Sequence, residues 1–187
     1  CAHETDFHQF MLYTPVPGTP LYQQIADEGR LLEDVELADI HGQYKFNFRH
    51  AAISRDDSKE YLDFAFRRDF ERNGPSLFRI CRTTLAGWKR YRNHPDARIR
   101  ERFEWEVRNL KSGYNAALWA IEKYLRKTNT AVSEQVRWLR REIEGEFGWK
   151  PRLAARVFGP VLWWTSRREQ KRLAGGRTYE PRTFLER

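Results

Sequence analysis

Between residues 97 and 127 apolar side chains recur in steps of three and four: Ile99, Phe103, Val107, Leu110, Tyr114, Leu118, Ile121 and Leu125. At 3.6 residues per turn these positions fall on one stripe, which must be covered by other elements. The pattern predicts one long helix from Ala97 to Lys127. Similar stripes lie on either side of it. Residues 56–72 carry Tyr61, Leu62, Ala65 and Phe66, with caps available at Asp56, Asp57 and Ser58 and a stop at Asn73-Gly74-Pro75. Residues 75–93 carry Phe78, Cys81, Leu85, Trp88 and Tyr91, and His94-Pro95-Asp96 breaks the run. Val132, Val136, Leu139, Ile143 and Phe147 mark a fourth helix, and Leu153, Val157, Val161, Leu162, Trp163 and Trp164 a fifth near 152–173. The fold class is therefore mainly α, with about five helices over residues 56–174 and a loose tail at 175–187.

Only the start of the chain departs from this period. Phe7-His-Gln-Phe-Met-Leu-Tyr-Thr-Pro-Val16 is apolar, too short for a helix, and closed by turn formers, which predicts a buried strand. Pro17-Gly18-Thr19-Pro20 is then a tight turn in which Thr19 caps a helix begun by Pro20 and stopped at Gly29. Residues 32–55 read as an irregular connector with a short strand at 43–48. A single strand leaves its backbone donors and acceptors without neighbours. Its partners are expected upstream, in a longer polypeptide from which a chain beginning with Cys1 has been cut.

The formal charge of +8 is unevenly spread. Residues 1–49 hold three bases and eight acids, or −5, which leaves 31 bases and 18 acids, or +13, for the rest. A basic surface of that size attracts polyanions. No run of 18 apolar residues and no leader pattern is seen, and two distant cysteines form neither a disulfide framework nor a cluster spacing. A reducing cytosolic setting is the expectation.

The stretch Asp6-Phe-His-Gln-Phe-Met-Leu-Tyr-Thr-Pro-Val-Pro-Gly-Thr-Pro-Leu-Tyr22, followed by Glu28-Gly29-Arg30-Leu31, resembles the end of the catalytic barrel of radical S-adenosylmethionine enzymes. It is most similar to the cobalamin-binding class. The close likeness covers residues 6–31; Asp39–His50 and the helices behind it are similar more loosely. The resemblance implies that residues 1–31 are the last strand, turn and helix of a partial (β/α) barrel. That barrel would hold a four-iron four-sulfur cluster, S-adenosylmethionine and, in the parent protein, cobalamin. Methyl transfer or related radical chemistry on an unactivated carbon would follow. Tyr13, Thr14 and Pro15 would line the S-adenosylmethionine pocket, with Pro17, Gly18 and Thr19 at its rim. The Cys-x3-Cys-x2-Cys motif that supplies three thiolates to such a cluster does not occur in these residues. The segment is thus expected to be inactive without the upstream barrel and cobalamin domains of the same polypeptide.

Arg49 and His50, beside Tyr44, Phe46 and Phe48, are the candidate substrate contacts outside that stretch. The bland alternative is a histidine packed in an irregular loop. Scattered His3, His8, His41, His50 and His94 predict no metal site. Glu101, Glu104 and Glu106 alternate with Arg100, Arg102 and Arg108 as on a solvated helix face. Trp163 and Trp164, followed by Arg167 and Arg168, suit a helix lying on an anionic membrane, with burial against the 97–127 helix as the alternative. A non-catalytic module binding nucleic acid is a further reading, disfavoured because the arginines are spread over every helix and interleaved with acids.

Overall fold

Thr19 shows how the first helix begins. Its hydroxyl accepts from the backbone N–H of Tyr22 at 3.3 Å, and Pro20 occupies the first helical position. The computed structural model describes residues 5–35 and 45–176. Among these, seven α-helices form: α1 (Pro20–Asp27), α2 (Arg55–Asn73), α3 (Ser76–Tyr91), α4 (Ala97–Glu106), α5 (Tyr114–Leu125), α6 (Thr130–Phe147) and α7 (Trp149–Ala174). His3, His41, the first two residues of the 43–48 strand (Tyr44 among them) and the tail from 177 onward fall outside the described residues. The chain divides into two compact units, Cys1–Gly74 and Pro75–Arg187.

In the first unit, Phe46, Phe48 and Ile25 form a small core with Leu12, Leu21, Leu31 and Ile53 packed on it. A single antiparallel bridge, Leu31 to Phe48, ties the chain after α1 to the chain before α2. It is made by Leu32 N–H to Asn47 O at 3.0 Å and Arg49 N–H to Arg30 O at 2.8 Å. Helix α2 opens two residues earlier than a cap at Asp56 would place it. Ser54 is its cap, accepting from Asp57 N–H at 3.0 Å, and Asp56 and Asp57 sit in the first turn, where the helix dipole favours them. Its packed face is Ser58, Leu62, Ala65 and Asp69, whereas Tyr61, Phe64, Phe66 and Phe70 are exposed. The apolar stripe expected through Tyr61 and Phe66 is thus not the buried one.

The strand expected at 7–16 is not part of a ladder. Among the described residues no strand forms, and 7–16 run without assigned secondary structure. The exposure of its side chains nonetheless alternates as along a strand. From Thr5 to Thr14, exposed and covered residues alternate strictly, with Phe7, Gln9, Met11 and Tyr13 outward and His8, Phe10, Leu12 and Thr14 inward.

The second unit gathers Phe78, Cys81, Leu85, Val107, Leu110, Leu118, Leu125, Val132, Val136, Leu139 and Ile143 into one core. The helix expected over 97–127 is interrupted. A 3-10 turn spans Val107–Asn109, and α5 starts afresh at Tyr114. Ser112 and Gly113 lie within the break, where the Ser112 hydroxyl back-bonds to Arg108 O at 3.2 Å and Gly113 brings the entropy cost that glycine has in a helix. The stripe survives the break, because Val107, Leu110, Leu118 and Leu125 are all fully buried. Helix α7 packs along α5, where Gly159 faces the Trp119 ring so closely that a Cβ would lie 2.8 Å from it.

Candidate functional site

Of the residues around the turn, Leu12, Leu21 and Leu31 pack on Phe46 and Phe48. Pro15 is fully buried and its carbonyl accepts from the Asn47 side-chain amide at 2.7 Å. Thr14 is buried as well, with its hydroxyl donating to Leu12 O at 3.0 Å. Tyr13 points the other way and is 69% exposed. Pro17, Gly18 and Thr19 form an exposed turn closed by Thr19 N–H to Val16 O at 3.1 Å. Gly18 takes the left-handed conformation there (φ 85°), with open space where a Cβ would stand. A small ligand approaching this turn would therefore meet backbone and the Tyr13 ring, because the two threonine hydroxyls are already engaged internally.

The Asn47 side chain holds that arrangement. Its amide is buried and its own Oδ1 has no hydrogen-bond partner among the described residues. Replacing Asn47 by leucine removes the donor to Pro15 O and leaves a buried carbonyl unsatisfied, at a cost of about 1–2 kcal/mol. The expected result is faster amide exchange across residues 12–19, with the second unit unchanged. Unaltered exchange there would show that Asn47 does not hold the segment.

Two further sets of contacts are not legible in the sequence. His8 Nδ1 lies 2.6 Å from Asp69 Oδ1, which also accepts from Asn73 at 2.7 Å, and Phe10 meets Phe66 edge-on at 5.1 Å. Both fix the start of the segment, at His8 and Phe10, on α2 across some sixty positions of sequence, and no local pattern announces such pairs. Arg30 makes the other set. Its guanidinium donates twice to Arg49 O, at 3.0 and 2.8 Å, reaches Glu28 at 2.7 Å, and lies 5.6 Å from the Phe48 ring centroid.

Arg49 and His50 border a hollow of about 310 Å3, shared with Leu32, Asp34, Phe48 and Arg55. None of residues 13–19 lines it. His50 Nδ1 accepts from Ala52 and Ile53 N–H at 3.2 and 3.1 Å, which places its ring proton on Nε2. The ring stacks on Phe46 at 5.4 Å. Across the hollow Arg55 donates to Asp34 at 2.6 Å and holds that carboxyl below its usual value. His50 thus both caps a loop and edges a cavity.

No group of three His, Cys, Asp or Glu able to hold a metal occurs among the described residues. Cys81 is fully buried among apolar side chains of the second unit, and burial pushes its thiol up to about 12. These residues do not fit an iron–sulfur cluster, which requires several accessible thiolates. Cys81 should resist iodoacetamide in the native chain at mildly alkaline pH and react once denaturant is added. Peptide mass mapping reads this out, and prompt native labelling at Cys81 would contradict its burial.

In the second unit the two tryptophans diverge. Trp163 is half-buried, Trp164 is 57% exposed, and each has an arginine above it, Arg167 at 5.3 Å and Arg168 at 5.7 Å from the ring centroids. No described helix is long and apolar enough to cross a membrane. Compared with protein-family models, curated proteins and solved structures, the chain matches none.

Proposed function

We propose that this chain is the C-terminal part of a cobalamin-dependent radical S-adenosylmethionine enzyme, in which residues 7–16 close the barrel and residues 13–19 border the S-adenosylmethionine pocket. The observation that carries the reading is the strand-like alternation of exposed and covered side chains along residues 5–14, in a segment that joins no ladder among the described residues. One of its faces is covered, His8 and Phe10 by α2 as barrel strands are by their outer helices and Leu12 by the core of Phe46 and Phe48, and the other presents Phe7, Met11 and Tyr13 bare. Parallel strands are apolar on both faces because both are buried, and this segment has the composition without the cover. With strand neighbours alongside, its backbone would enter a ladder and its bare face would turn inward.

In that setting Tyr13 offers an aromatic face to a purine, and the Gly18 turn allows close backbone approach. Asn47 and Arg30 keep the turn and the following chain in register from behind. S-adenosylmethionine would supply the radical when its cluster is bound, and the cluster ligands must come from upstream residues. Arg49 and His50 border a separate hollow of the kind a polar substrate group could enter. The helices of 75–174 act as a basic extension of the barrel.

The test is the polypeptide encoded by the uninterrupted reading frame. A Cys-x3-Cys-x2-Cys motif upstream, iron and sulfide in the purified protein, and 5′-deoxyadenosine formed under reducing conditions are the expected results. A reading frame without that motif, or full-length protein that releases no 5′-deoxyadenosine, would overturn the assignment.

A further inference from the structure

Helix α7 has two apolar faces, and only one of them is used. Pro151, Ala155 and Gly159, spaced by four, are buried on the side that packs on α5. Trp149, Leu153, Val157, Val161 and Trp164, spaced by four, four, four and three, lie on the opposite side and are each at least half exposed, from 50% to 66%. The outer row runs for roughly 22 Å at 1.5 Å per residue. It has a tryptophan at each end and aliphatic residues between. A row of this size is not a scatter of single exposed residues, and it calls for an occupant.

The charges around the row identify that occupant's chemistry. Lys150, Arg156, Arg167, Arg168 and Lys171 flank it or continue it, all exposed, and none forms an ion pair among the described residues. The acid of this helix, Glu169, lies off the row and is held by Arg172. Elsewhere in the second unit several arginines are paired with acids, as Arg137 and Arg140 are with Glu122 and Arg92 is with Glu146, whereas exposed bases such as Arg90 and Arg141 stand singly among the described residues with no apolar row beside them. We infer that the outer face of α7 docks on an anionic lipid surface. Its aliphatic row enters the headgroup–acyl boundary, its two end tryptophans lie at headgroup depth, and Arg167, Arg168 and Lys171 meet lipid phosphates. A helix with an apolar strip and cations but no anion beside it is built for that boundary. Arg168 over the Trp164 ring holds the cation next to the aromatic it accompanies. This inference is independent of the enzymatic reading.

Flotation of the full chain with phosphatidylcholine vesicles, with and without phosphatidylglycerol, tests it. Binding is expected only to the anionic vesicles and should weaken with salt. Replacing Arg167, Arg168 and Lys171 together by glutamine should reduce partition on the order of a hundredfold. The same three-charge change at Arg90, Lys127 and Arg141, exposed bases on other elements, should reduce it far less. Val157→Ser with Trp164→Ser should also release the protein while far-UV circular dichroism stays unchanged. Equal losses from the two triple variants, retention by the serine variant, or no flotation with anionic vesicles would each overturn the proposal. So would competition by duplex RNA against a protein indifferent to the serine changes, which would assign the charges to nucleic acid.

Discussion

Replacing Glu122 by leucine is expected to destabilise the second unit by about 3 kcal/mol, near the lower end of the range for breaking a buried ion pair. Glu122 is 4% exposed and sits inside α5, where an apolar residue would be ordinary. It is retained there by Arg140 at 2.6 Å and Arg137 at 3.0 Å, both from α6, while its backbone carbonyl accepts from the buried Ser133 hydroxyl at 3.0 Å. Arg140 also reaches Glu144 at 3.3 Å, and Glu144 in turn accepts from the buried Asn115 amide at 3.0 Å. Removing Glu122 strands the mostly buried Arg140 with half its partners. Arg137 is better solvated and loses less, which keeps the expected figure from rising further. Urea unfolding followed by circular dichroism measures the loss, and a change under about 1 kcal/mol would show the network to be dispensable.

The same carboxylate gives the pH dependence. Burial alone would raise its pKa, but hydrogen bonds from Arg140 and Arg137 outweigh burial and hold it below the ordinary 4.5. A group whose pKa is lower when folded binds fewer protons in the native state. Its stabilisation is therefore present above about pH 4.5 and lost as pH falls through the depressed value. Glu122→Gln should accordingly flatten the acid limb of the stability curve, and an unchanged limb would place the titration elsewhere.

Gly159→Val is expected to cost about 1–3 kcal/mol by forcing the α5–α7 contact apart. The Cβ of any residue there would lie 2.8 to 3.0 Å from three atoms of the Trp119 ring, closer than packed carbons come. Trp119 is only half-buried, so the ring can yield somewhat, and Gly159→Ala should cost less than valine. The companion change Trp119→Leu should recover part of the loss in the valine variant. Its failure to do so would mean that the clash lies with the backbone and not with the ring.

Much of the helical part is legible because several helices announce their ends. Asp96 and Asn129 cap α4 and α6, and Gly74 and Gly148 end α2 and α6 with φ of 74° and 78°. The periodic apolar positions of α6, namely Val132, Val136, Leu139 and Ile143, are the buried ones. The break in the 97–127 run is not legible, because apolar period and backbone continuity are separate matters. Leu110 and Tyr114 keep the stripe four residues apart while the helix is interrupted between them, at Ser112 and Gly113. The first unit is harder to read. Its contacts, His8 to Asp69, Asn47 to Pro15 and Arg30 to Arg49, join residues 19 to 61 positions apart, through polar groups that carry no periodic signal. At α2 an abundance of aromatics hides the true inner face, Ser58–Leu62–Ala65–Asp69, whose small and polar members score poorly on any hydrophobic pattern.

The order of elements in the second unit also bears on how quickly it assembles. Helices α5, α6 and α7 follow one another through links of a few residues, and each packs on its neighbour or on the next element along. Such short-range closure favours collapse on the order of microseconds to milliseconds. Residues 75–174 thus hold within their own compact unit the short-range contacts that make for fast closure, whereas the segment at 7–16 depends on partners some sixty positions away.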